Sequence, residues 1–416
     1  MATKTLADVN VAGKTVLMRV DFNVPLKGGE ITNDRRIVQA LPSIRTVIEN
    51  GGKLVLMSHL GRPSGEGFEA DYSIAPAAKR LGELLGKPVA VGPQTVIGPK
   101  AVEQVAAMKP GDVLLLENVR FVAGETIADK AKKNPDKKLT EQQQKELDDF
   151  VAGLAELGDL YVNDAFGTCH RKHASMYGLP KAIVAKGGQA VAGFLVEKEI
   201  RYLHEAVSEP KRPFIAILGG AKVSDKIKLI AKLLDQVDGI LIGGAMAYTL
   251  LKAQDVKIGN SLCEEDQVAE MKSLLVSGKI KLPVDHVVTD DFANGKPKVI
   301  EGIDIPDGFM GMDIGPATIK AYSDVIAKAG TVVWNGPMGV FEKPDYANGT
   351  KSVAQALADA TAKGTVSVIG GGDSAAAVEQ MGLDEAMTHI STGGGASLEY
   401  LEGKPMPPIE VLDKKG

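Results

Sequence analysis

Short, continuous runs of hydrophobic residues alternate along the first half of the chain with stretches of helical periodicity. The runs that predict strands are residues 15–22, 53–58, 88–91, 112–116 and 160–162. A strand that is hydrophobic on both faces is typical of a parallel sheet that helices cover on both sides. The pattern therefore predicts a parallel α/β sheet for the first half.

Helix signals occupy the stretches between these runs. Thr140 and Gln143 have the spacing of a capping box, which predicts a helix that begins there and continues to about residue 157. Pro42 fits the first turn of a helix that ends before the glycines at 51 and 52. Residues 33–40, which include Arg36, would then form a separate turn.

The middle of the chain predicts a change of domain. Residues 189–209 are interpreted as a long interdomain helix that ends before Pro210 and Pro213. From residue 214 to about 401 strands and helices alternate again, which predicts a second parallel sheet. The expected fold class is α/β, with two doubly wound parallel-sheet (Rossmann-like) domains, residues 1–188 and 189–401, joined by the interdomain helix and a hinge.

Composition narrows the class of protein. The chain has 416 residues, enough for two or three domains, and is 44% hydrophobic and 24% charged. Its net charge of −5 argues against a general nucleic-acid binder. Two cysteines cannot build a disulfide framework or a zinc cluster. No signal-peptide core and no run of ~20 hydrophobic residues is evident, so we expect a cytoplasmic protein without a membrane partner.

Glycine-rich turns that join a strand to a helix recur in the second half. They occupy residues 215–222, 366–373 and 389–395. Glycine lets the backbone approach a ligand closely, and the helix start that follows offers free N–H groups and a partial positive charge. Neither a Walker A spacing nor a dinucleotide-binding fingerprint is present. Several such turns on one sheet predict a wall of phosphate-binding sites.

Charged residues accompany these turns. Lys222 and Lys226 are four residues apart, so on a helix they would share a face and form an anion clamp; a solvated lysine pair is the alternative. Asp373 could hold Mg²⁺ beside phosphate oxygens, or could only cap the following helix. Glu342 could accept hydrogen bonds from ribose hydroxyls. Trp334, the only tryptophan, is more simply a core residue.

Basic and amide side chains follow the strands of the first half. Asp21 and Asn23 lie on one face at a strand end, where ligands of open α/β sheets bind. Arginine binds carboxylate or phosphate through a bidentate fork, although a single arginine often forms only a surface ion pair. The basic residues at these strand ends are Arg36, His59, Arg62, Arg120, His170 and Arg171. An anionic ligand here and a phosphate-rich ligand in the second half predict a transferase.

The sequence resembles the phosphoglycerate kinase family over essentially its whole length. Segments that match family motifs, in family order, are residues 19–25, 58–63, 117–121, 163–171, 219–226, 334–342, 370–374 and 391–395. The resemblance implies reversible phosphoryl transfer between 1,3-bisphosphoglycerate and ADP, which gives 3-phosphoglycerate and ATP in glycolysis. It also implies a monomer, in-line transfer in a closed interdomain cleft, and a C-terminal tail, residues 402–416, that packs on the N-terminal domain.

The resemblance also implies a role for individual residues. Those expected to bind phosphoglycerate are Asp21, Asn23, Arg36, His59, Arg62, Arg120 and Arg171. Those expected to bind the nucleotide are Gly220, Lys226, Gly311, Asn335, Glu342, Gly371, Gly372, Asp373 and Ser374. Asp373 is the expected ligand of Mg²⁺, which arrives as MgATP or MgADP. Catalysis is assigned to Arg36, Lys222 and the helix starts at Gly372 and Gly395.

Two departures from the family pattern and two other functions remain open. Cys169 stands where the family usually has alanine, and Met406-Pro407-Pro408 replaces the usual Leu-Pro-Gly of the tail, which leaves the details of tail docking open. A dehydrogenase would need nicotinamide-cofactor binding, and the missing fingerprint counts against it. A non-catalytic nucleotide-binding regulator would have no need for the basic residues of the first half.

Overall fold

The computed structural model describes residues 2–134 and 136–415, and these form two compact units. The first unit comprises the residues up to Ile200 together with those from Pro405 onward, and the second comprises Arg201–Lys404. The chain thus enters the second unit once and returns to the first for its last residues.

The first unit is built on a six-stranded parallel sheet. Its strands are β1 (Thr15–Val20), β4 (Lys53–Met57), β5 (Ala90–Val91), β6 (Val113–Leu115), β7 (Leu160–Asp164) and β8 (Gln189–Ala192), in the order β5-β6-β4-β1-β7-β8. A small antiparallel hairpin pairs β2 (Leu26–Lys27) with β3 (Glu30–Ile31). Every residue of β1 and β7 is buried, as the continuous hydrophobic runs predict.

Helices surround this sheet. The α-helices are α1 (Arg35–Glu49), α2 (Ala75–Leu85), α3 (Pro99–Ala107), α4 (Glu141–Ala155), α5 (Leu179–Ala185) and α6 (Phe194–Ser208). Short 3₁₀ turns are Leu6–Asp8, Ala70–Tyr72, Val119–Phe121, Ala123–Glu125, Ile127–Lys133 and Phe166–Thr168, and Ala174–Gly178 is a π turn. The capping box at the start of α4 forms as predicted: Gln143 N donates to Thr140 Oγ1, and Thr140 N donates to Gln143 Oε1.

Two of the sequence-based boundaries in this unit are wrong. Helix α1 runs from Arg35 to Glu49 with Pro42 inside it, so Arg36 lies in the first turn of a helix and not in a separate turn. The helix predicted over 189–209 begins only at Phe194, because Gln189–Ala192 is strand β8 at the edge of the first sheet. A strand of four residues beside a helical pattern carries no periodicity of its own, and pairing with β7 decides its structure.

The second unit contains another six-stranded parallel sheet and a smaller antiparallel one. The parallel strands are β9 (Phe214–Leu218), β10 (Gly239–Ile242), β11 (Ile280–Lys281), β15 (Thr331–Asn335), β16 (Val366–Gly370) and β17 (His389–Ile390), in the order β11-β10-β9-β15-β16-β17. The antiparallel sheet has the order β13-β12-β14, with β12 (His286–Thr289), β13 (Lys298–Ile300) and β14 (Met310–Ile314). The sequence pattern does not predict this second sheet.

The helices of the second unit lie between its strands, and most of them follow a parallel strand. They are α7 (Ile227–Leu234), α8 (Met246–Lys252), α9 (Val268–Leu275), α10 (Pro316–Ile326), α11 (Asn348–Thr361), α12 (Gly372–Gln380) and α13 (Gly395–Leu401), with 3₁₀ turns at Glu265–Gln267, Pro344–Tyr346 and Asp384–Ala386. Trp334 is fully buried in the core on β15, which agrees with the simpler interpretation of this residue. With two parallel sheets flanked by helices, the predicted α/β fold class is confirmed.

The C-terminal tail belongs to the first unit. Helix α14 (Pro407–Glu410) places the Pro408 carbonyl 3.3 Å from Asn163 Nδ2, which donates to it. Asp413 N donates to the Ala190 carbonyl at 2.8 Å, and Lys4 N donates to the Asp413 carbonyl at 2.7 Å. The tail therefore connects the amino-terminal segment to β8.

Candidate active site

A cavity of about 470 Å³ opens in the second unit at the carboxyl ends of β9, β15 and β16. The strand order reverses between β9 and β15, and ligands of open α/β sheets bind at such a switch point. The residues that line the cavity are Gly220, Ala221, Lys222, Asp225, Lys226, Asn335, Gly336, Gly371, Gly372, Asp373, Ser374, Gly394, Gly395 and Leu398. The three glycine-rich turns predicted from the sequence thus meet at one place.

Backbone conformation explains why glycine occupies two of these positions. Gly220 has φ +103° and Gly371 has φ +88°, in the left-handed region that a side chain disfavours. A Cβ on Gly371 would also lie 2.7 Å from Asn335 Nδ2. The turns therefore bring bare backbone to the cavity wall, where a ligand can approach it.

Helices α12 and α13 begin at this wall. Their N-cap residues, Gly371 and Gly394, offer no side-chain hydrogen bond to the first N–H groups. The start of a helix leaves backbone N–H groups without a partner inside the helix and carries a partial positive charge. Asp373 lies in the first turn of α12 and is not its N-cap, so the alternative that it only caps the helix is not what the structure shows.

Lys222 and Lys226 both line the cavity, although they do not share a helix face as predicted. Helix α7 begins only at Ile227, because Lys226 N closes a turn with the Val223 carbonyl at 2.8 Å. Lys222 is exposed, whereas burial lowers the pKa of Lys226, opposed in part by Asp225 and Asp373. The loop thus brings two ammonium groups to one cavity, of which that of Lys222 is exposed and that of Lys226 is partly buried.

Ser374 connects two of the turns, and Asn335, next to Gly336 in the chain, has an unpartnered amide among the described residues. Ser374 Oγ accepts a hydrogen bond from Gly336 N at 2.6 Å. Asn335 is only 3% exposed, and its Nδ2 finds no hydrogen-bond partner among residues 2–134 and 136–415. A buried amide donor without a partner is costly unless a ligand satisfies it. Its place in the cavity lining makes it a candidate ligand-binding donor.

Two of the residues assigned to the nucleotide do not line this cavity. Glu342 is exposed, in the segment that follows the Gly336 turn. Gly311 lies on β14, where its N donates to Ser261 Oγ at 2.9 Å and a side chain would collide with the Tyr248 hydroxyl.

Five other residues that line the cavity had no individual role in the sequence analysis. These are Ala221, Asp225, Gly336, Gly394 and Leu398. Gly336 and Gly394 belong to the same glycine-rich segments, so their motif was a usable signal. Leu398 follows Gly394 by four residues, and helical spacing from that turn could have indicated it.

In the first unit, Asp21, Asn23 and Arg36 form a connected group after β1. Arg36 Nη1 lies 3.1 Å from Asp21 Oδ1 and donates to the Asn23 carbonyl at 3.1 Å. Asn23 Oδ1 accepts from Gly61 N at 2.8 Å, which connects this group to the segment after β4. The first turn of α1 thereby brings the Arg36 guanidinium, which is 34% exposed, to the carboxyl ends of these strands.

His59 is a neutral imidazole with a fixed tautomer. Arg19 Nη2 lies 3.1 Å from His59 Nδ1, and a guanidinium can only donate, so Nδ1 accepts and Nε2 carries the proton. Burial lowers the pKa of His59 well below its usual value, and the positive charges of Arg19 and Arg120 act in the same direction. His59 can therefore offer an N–H to an anion without being a cation.

Three arginines of this unit differ in how firmly they are held. Arg120 Nη1 donates to the Gly61 carbonyl at 2.7 Å. Arg171 Nη1 donates to Asp129 Oδ2 at 3.0 Å, and its Nε donates to His170 Nε2 at 3.0 Å. Arg62 is exposed and forms no hydrogen bond or ion pair with the part of the chain that the structure describes. The predicted basic residues thus all lie in the connections between the parallel strands of the first unit. We call this set the basic face: Arg36, His59, Arg62, Arg120, His170 and Arg171.

Comparisons with known proteins identify the family. Residues 6–404 match the family described as phosphoglycerate kinase. The chain is 53% identical over 420 residues to a phosphoglycerate kinase of Rhodopirellula baltica, with 100% of both chains covered. The chain belongs to the phosphoglycerate kinase family. It is therefore a kinase, and the family's reaction is the ATP-generating phosphoryl transfer of glycolysis.

Further relatives and solved structures agree with this assignment. A phosphoglycerate kinase of Leuconostoc mesenteroides is 49% identical over 422 residues, with both chains covered in full. The structure of phosphoglycerate kinase from Coxiella burnetii matches with a TM-score of 0.83 at 38% identity, covering 98% of each chain. The enzyme from Pyrococcus horikoshii matches with a TM-score of 0.81 at 33% identity, covering 99% of this chain and 98% of the other. Among the described residues, no helix is both long and hydrophobic enough to span a bilayer.

Proposed function

We propose that the second-unit cavity binds the phosphates of ADP and ATP during this phosphoryl transfer. The observation that carries the proposal is the convergence of three glycine-rich turns, Lys222, Lys226 and the unpartnered amide of Asn335 in one cavity. Free backbone N–H groups and ammonium groups neutralise phosphate without blocking access to it. Gly220, Gly371, Gly372, Gly395 and Ser374 complete the phosphate-binding wall, and Gly311 and Glu342 are assigned to the nucleoside.

The basic face of the first unit is the proposed binding site of phosphoglycerate. Its donors suit a ligand with one carboxylate or acyl phosphate and one phosphate group. Arg62 can bind such an anion without breaking a hydrogen bond or ion pair of the described residues, and the neutral His59 contributes an Nε2–H donor. The residues assigned to this ligand are Asp21, Asn23, Arg36, His59, Arg62, Arg120 and Arg171.

Mg²⁺ is proposed to enter with the nucleotide and not from a site made of protein ligands alone. In the described part of the chain, no group of three or more His, Cys, Asp or Glu residues is placed to hold a metal ion. Mg²⁺ commonly takes one or two carboxylates together with phosphate oxygens and water, so one exposed carboxylate at the cavity is a suitable donor set. Asp373 supplies it. When bound, Mg²⁺ neutralises charge on the phosphates.

The residues suit a transfer that needs little acid–base catalysis. In the ATP-forming direction an oxygen of the ADP β-phosphate forms a bond to phosphorus, and the bond from phosphorus to the acyl oxygen breaks. The leaving group is a carboxylate, which needs no proton. The protein must then position the two substrates and stabilise the charge of the transferred group. Arg36, Lys222 and the helix starts at Gly372 and Gly395 are assigned to this stabilisation.

Transfer further requires that the two bound substrates meet and that water stays out. We propose that the units close on the substrates, since water would otherwise hydrolyse the acyl phosphate. We also propose that the enzyme acts as a monomer in the cytoplasm.

A trapping assay tests the reaction. The purified protein is incubated with 3-phosphoglycerate, MgATP and hydroxylamine, and acyl hydroxamate and ADP are measured together. Hydroxylamine traps an acyl phosphate, so equal amounts of the two products are expected. ADP without hydroxamate would mean another acceptor or an ATPase, and neither product from a folded sample that binds ATP would overturn the enzymatic assignment.

A further inference from the structure

A buried histidine lies beneath the basic face and has no role in the reaction proposed above. His173 directly precedes the π turn Ala174–Gly178, and its side chain is 1% exposed. Its Nε2 lies 3.2 Å from Asp129 Oδ2, and its Nδ1 lies 3.9 Å from Glu125 Oε1. Its Nδ1 makes no hydrogen bond among the described residues, and a buried polar atom without a partner costs free energy that a hydrophobic side chain at this position would not.

Asp129 connects this histidine to the basic face. The oxygen that faces His173, Oδ2, also accepts a hydrogen bond from Arg171 Nη1 at 3.0 Å. The hydrogen bond with His173 is the main reason that the pKa of Asp129 lies well below its usual value, and the charge of Arg171 acts in the same direction. Asp129 is therefore an ionised carboxylate that joins a buried donor to a partly exposed arginine.

Glu125 lies on the other side of the histidine, although no hydrogen bond joins it to His173 Nδ1 within the described residues. It is fully buried and accepts hydrogen bonds from Ser175 N at 2.9 Å and Ser175 Oγ at 2.7 Å. Ser175 Oγ accepts in turn from Arg19 Nε at 3.0 Å. The buried His173 side chain is thus packed beside a hydrogen-bonded group of the core, and this burial restricts its movement and that of its partner Asp129.

Arg171 needs such a support. Its side chain is 43% exposed, and a free arginine side chain would sample many rotamers. Asp129 and His170 together use two of the five N–H groups of a guanidinium, so other N–H groups stay available to an anion. A donor that is already oriented loses less conformational entropy when it binds its ligand.

We propose that His173 is a positioning residue: it holds Asp129, and through Asp129 it holds Arg171 in the orientation that binds the anionic phosphoglycerate. The inference rests on the proposed function, since it takes Arg171 as a ligand of phosphoglycerate. His173 itself touches no substrate in this scheme.

A double-mutant cycle tests the inference, with calorimetric affinity for 3-phosphoglycerate as the readout. The proteins compared are the wild type, His173→Phe, Arg171→Ala and the double variant. His173→Phe alone should lower the affinity roughly three- to tenfold, the scale of ordering one side chain. In the Arg171→Ala background it should cause no further loss. The affinity for ATP should stay unchanged in all four proteins.

Two control variants separate positioning from loss of fold. His173→Gln keeps an N–H donor that can reach Asp129, and it should restore most of the affinity. Ile183→Val removes a methylene from a buried residue of α5 in the same unit, away from these contacts, and it should leave the affinity unchanged. If His173→Phe does not fold, His173→Leu replaces it in the cycle, because leucine also removes the N–H donor that faces Asp129.

The outcomes distinguish this inference from the proposed function. Equal losses from His173→Phe with and without Arg171, or no loss at all, would overturn the positioning role while the trapping assay still succeeds. Unchanged affinity in Arg171→Ala would instead remove Arg171 from the phosphoglycerate site and the inference with it.

Discussion

The two units present anion-binding groups in opposite ways. The second unit offers backbone: glycine turns with positive φ at Gly220 and Gly371, and the starts of α12 and α13. The first unit offers long side chains that are held by other side chains or carbonyls, as Arg36 is by Asp21 and Arg120 is by the Gly61 carbonyl. A backbone site is rigid because the fold makes it so, whereas a side-chain site needs further residues for its rigidity.

This difference teaches where substitutions should act. In the second unit a single added methyl group can deform the site, because the chain conformation itself is the binding element. In the first unit the site tolerates changes of volume but depends on charge and on the residues that orient each arginine. The experiments below test that contrast, from the largest expected effect to the smallest.

Lys222 and Arg36, the two cations assigned to the transferred phosphoryl group, should have the largest effect on turnover. Lys222→Ala and Arg36→Ala should each lower turnover by about 100-fold or more, which is the scale of losing one electrostatic stabiliser. The measurement is kcat under saturating substrates. Matched controls are Lys228→Ala on α7 and Arg45→Ala on α1, which remove the same charge outside the site. Near wild-type turnover in both Lys222→Ala and Arg36→Ala would refute the assignment.

Arg62→Ala should affect one ligand only. Arg62 is exposed and forms no hydrogen bond or ion pair with the described residues, so its loss should leave the fold intact and remove one charged interaction with phosphoglycerate. A charge-assisted hydrogen bond contributes about 1.5–3 kcal/mol, so we expect roughly 10- to 100-fold weaker phosphoglycerate binding. Calorimetry with each ligand checks this, and an equal loss of ATP affinity would contradict it.

Gly371→Ala should weaken ATP binding and leave phosphoglycerate binding intact. Alanine at φ +88° costs about 1–2 kcal/mol, and its Cβ would press on Asn335 Nδ2. We expect about tenfold weaker ATP binding, with phosphoglycerate binding unchanged. Gly382→Ala, at φ +64° in open space, is the matched control for backbone strain alone. If both variants lose ATP affinity equally, the effect comes from stability and not from the cavity.

Each unit also contains a buried aspartate whose pKa burial raises to about 7, Asp164 in the first and Asp313 in the second. A pKa raised above the unfolded value means that the folded state binds the proton more tightly. The stability from each group is therefore complete below about pH 4 and is lost as the pH rises to about 7.

The two aspartates should respond differently to asparagine. Both oxygens of Asp313 accept from backbone N–H groups, of Ile314 at 2.9 Å and Gly349 at 2.6 Å, so Asp313→Asn should cost about 1 kcal/mol at pH 7.5. Asp164 Oδ1 accepts from Leu195 N at the start of α6, and Ser43 also lowers the pKa of this carboxyl, whereas Oδ2 makes no hydrogen bond among the described residues. Asp164→Asn should therefore be neutral or slightly stabilising at pH 7.5. Denaturant unfolding at pH 5 and pH 7.5 measures both, and equal costs at both sites would contradict the expectation.

The sequence predicts most where a local pattern decides the structure. Continuous hydrophobic runs predict the buried parallel strands. The Thr140–Gln143 capping box likewise depends only on two residues three positions apart. The glycine turns of the cavity are also local, so most of its lining residues could be named in advance. The family resemblance added the assignment of individual roles, which composition and spacing do not contain.

Long-range contacts decide what the sequence does not predict. Gln189–Ala192 becomes a strand because β7 is beside it, and helix α1 continues through Pro42 because its buried residues pack on the sheet. The β13-β12-β14 sheet has no long hydrophobic run to indicate it. The connection of His173 to Arg171 passes through Asp129, more than forty positions earlier in the chain, which no local motif reveals.

The return of residues 405–415 to the first unit has a consequence for synthesis of the protein on the ribosome. The segment that bonds with Lys4 and Ala190 is made only after all of the second unit has been made. The first unit therefore lacks these contacts while about two hundred further residues are synthesised. A nascent chain stopped just after Lys404 would have a whole second unit beside a first unit without its last contacts, and it should be the form most in need of a chaperone.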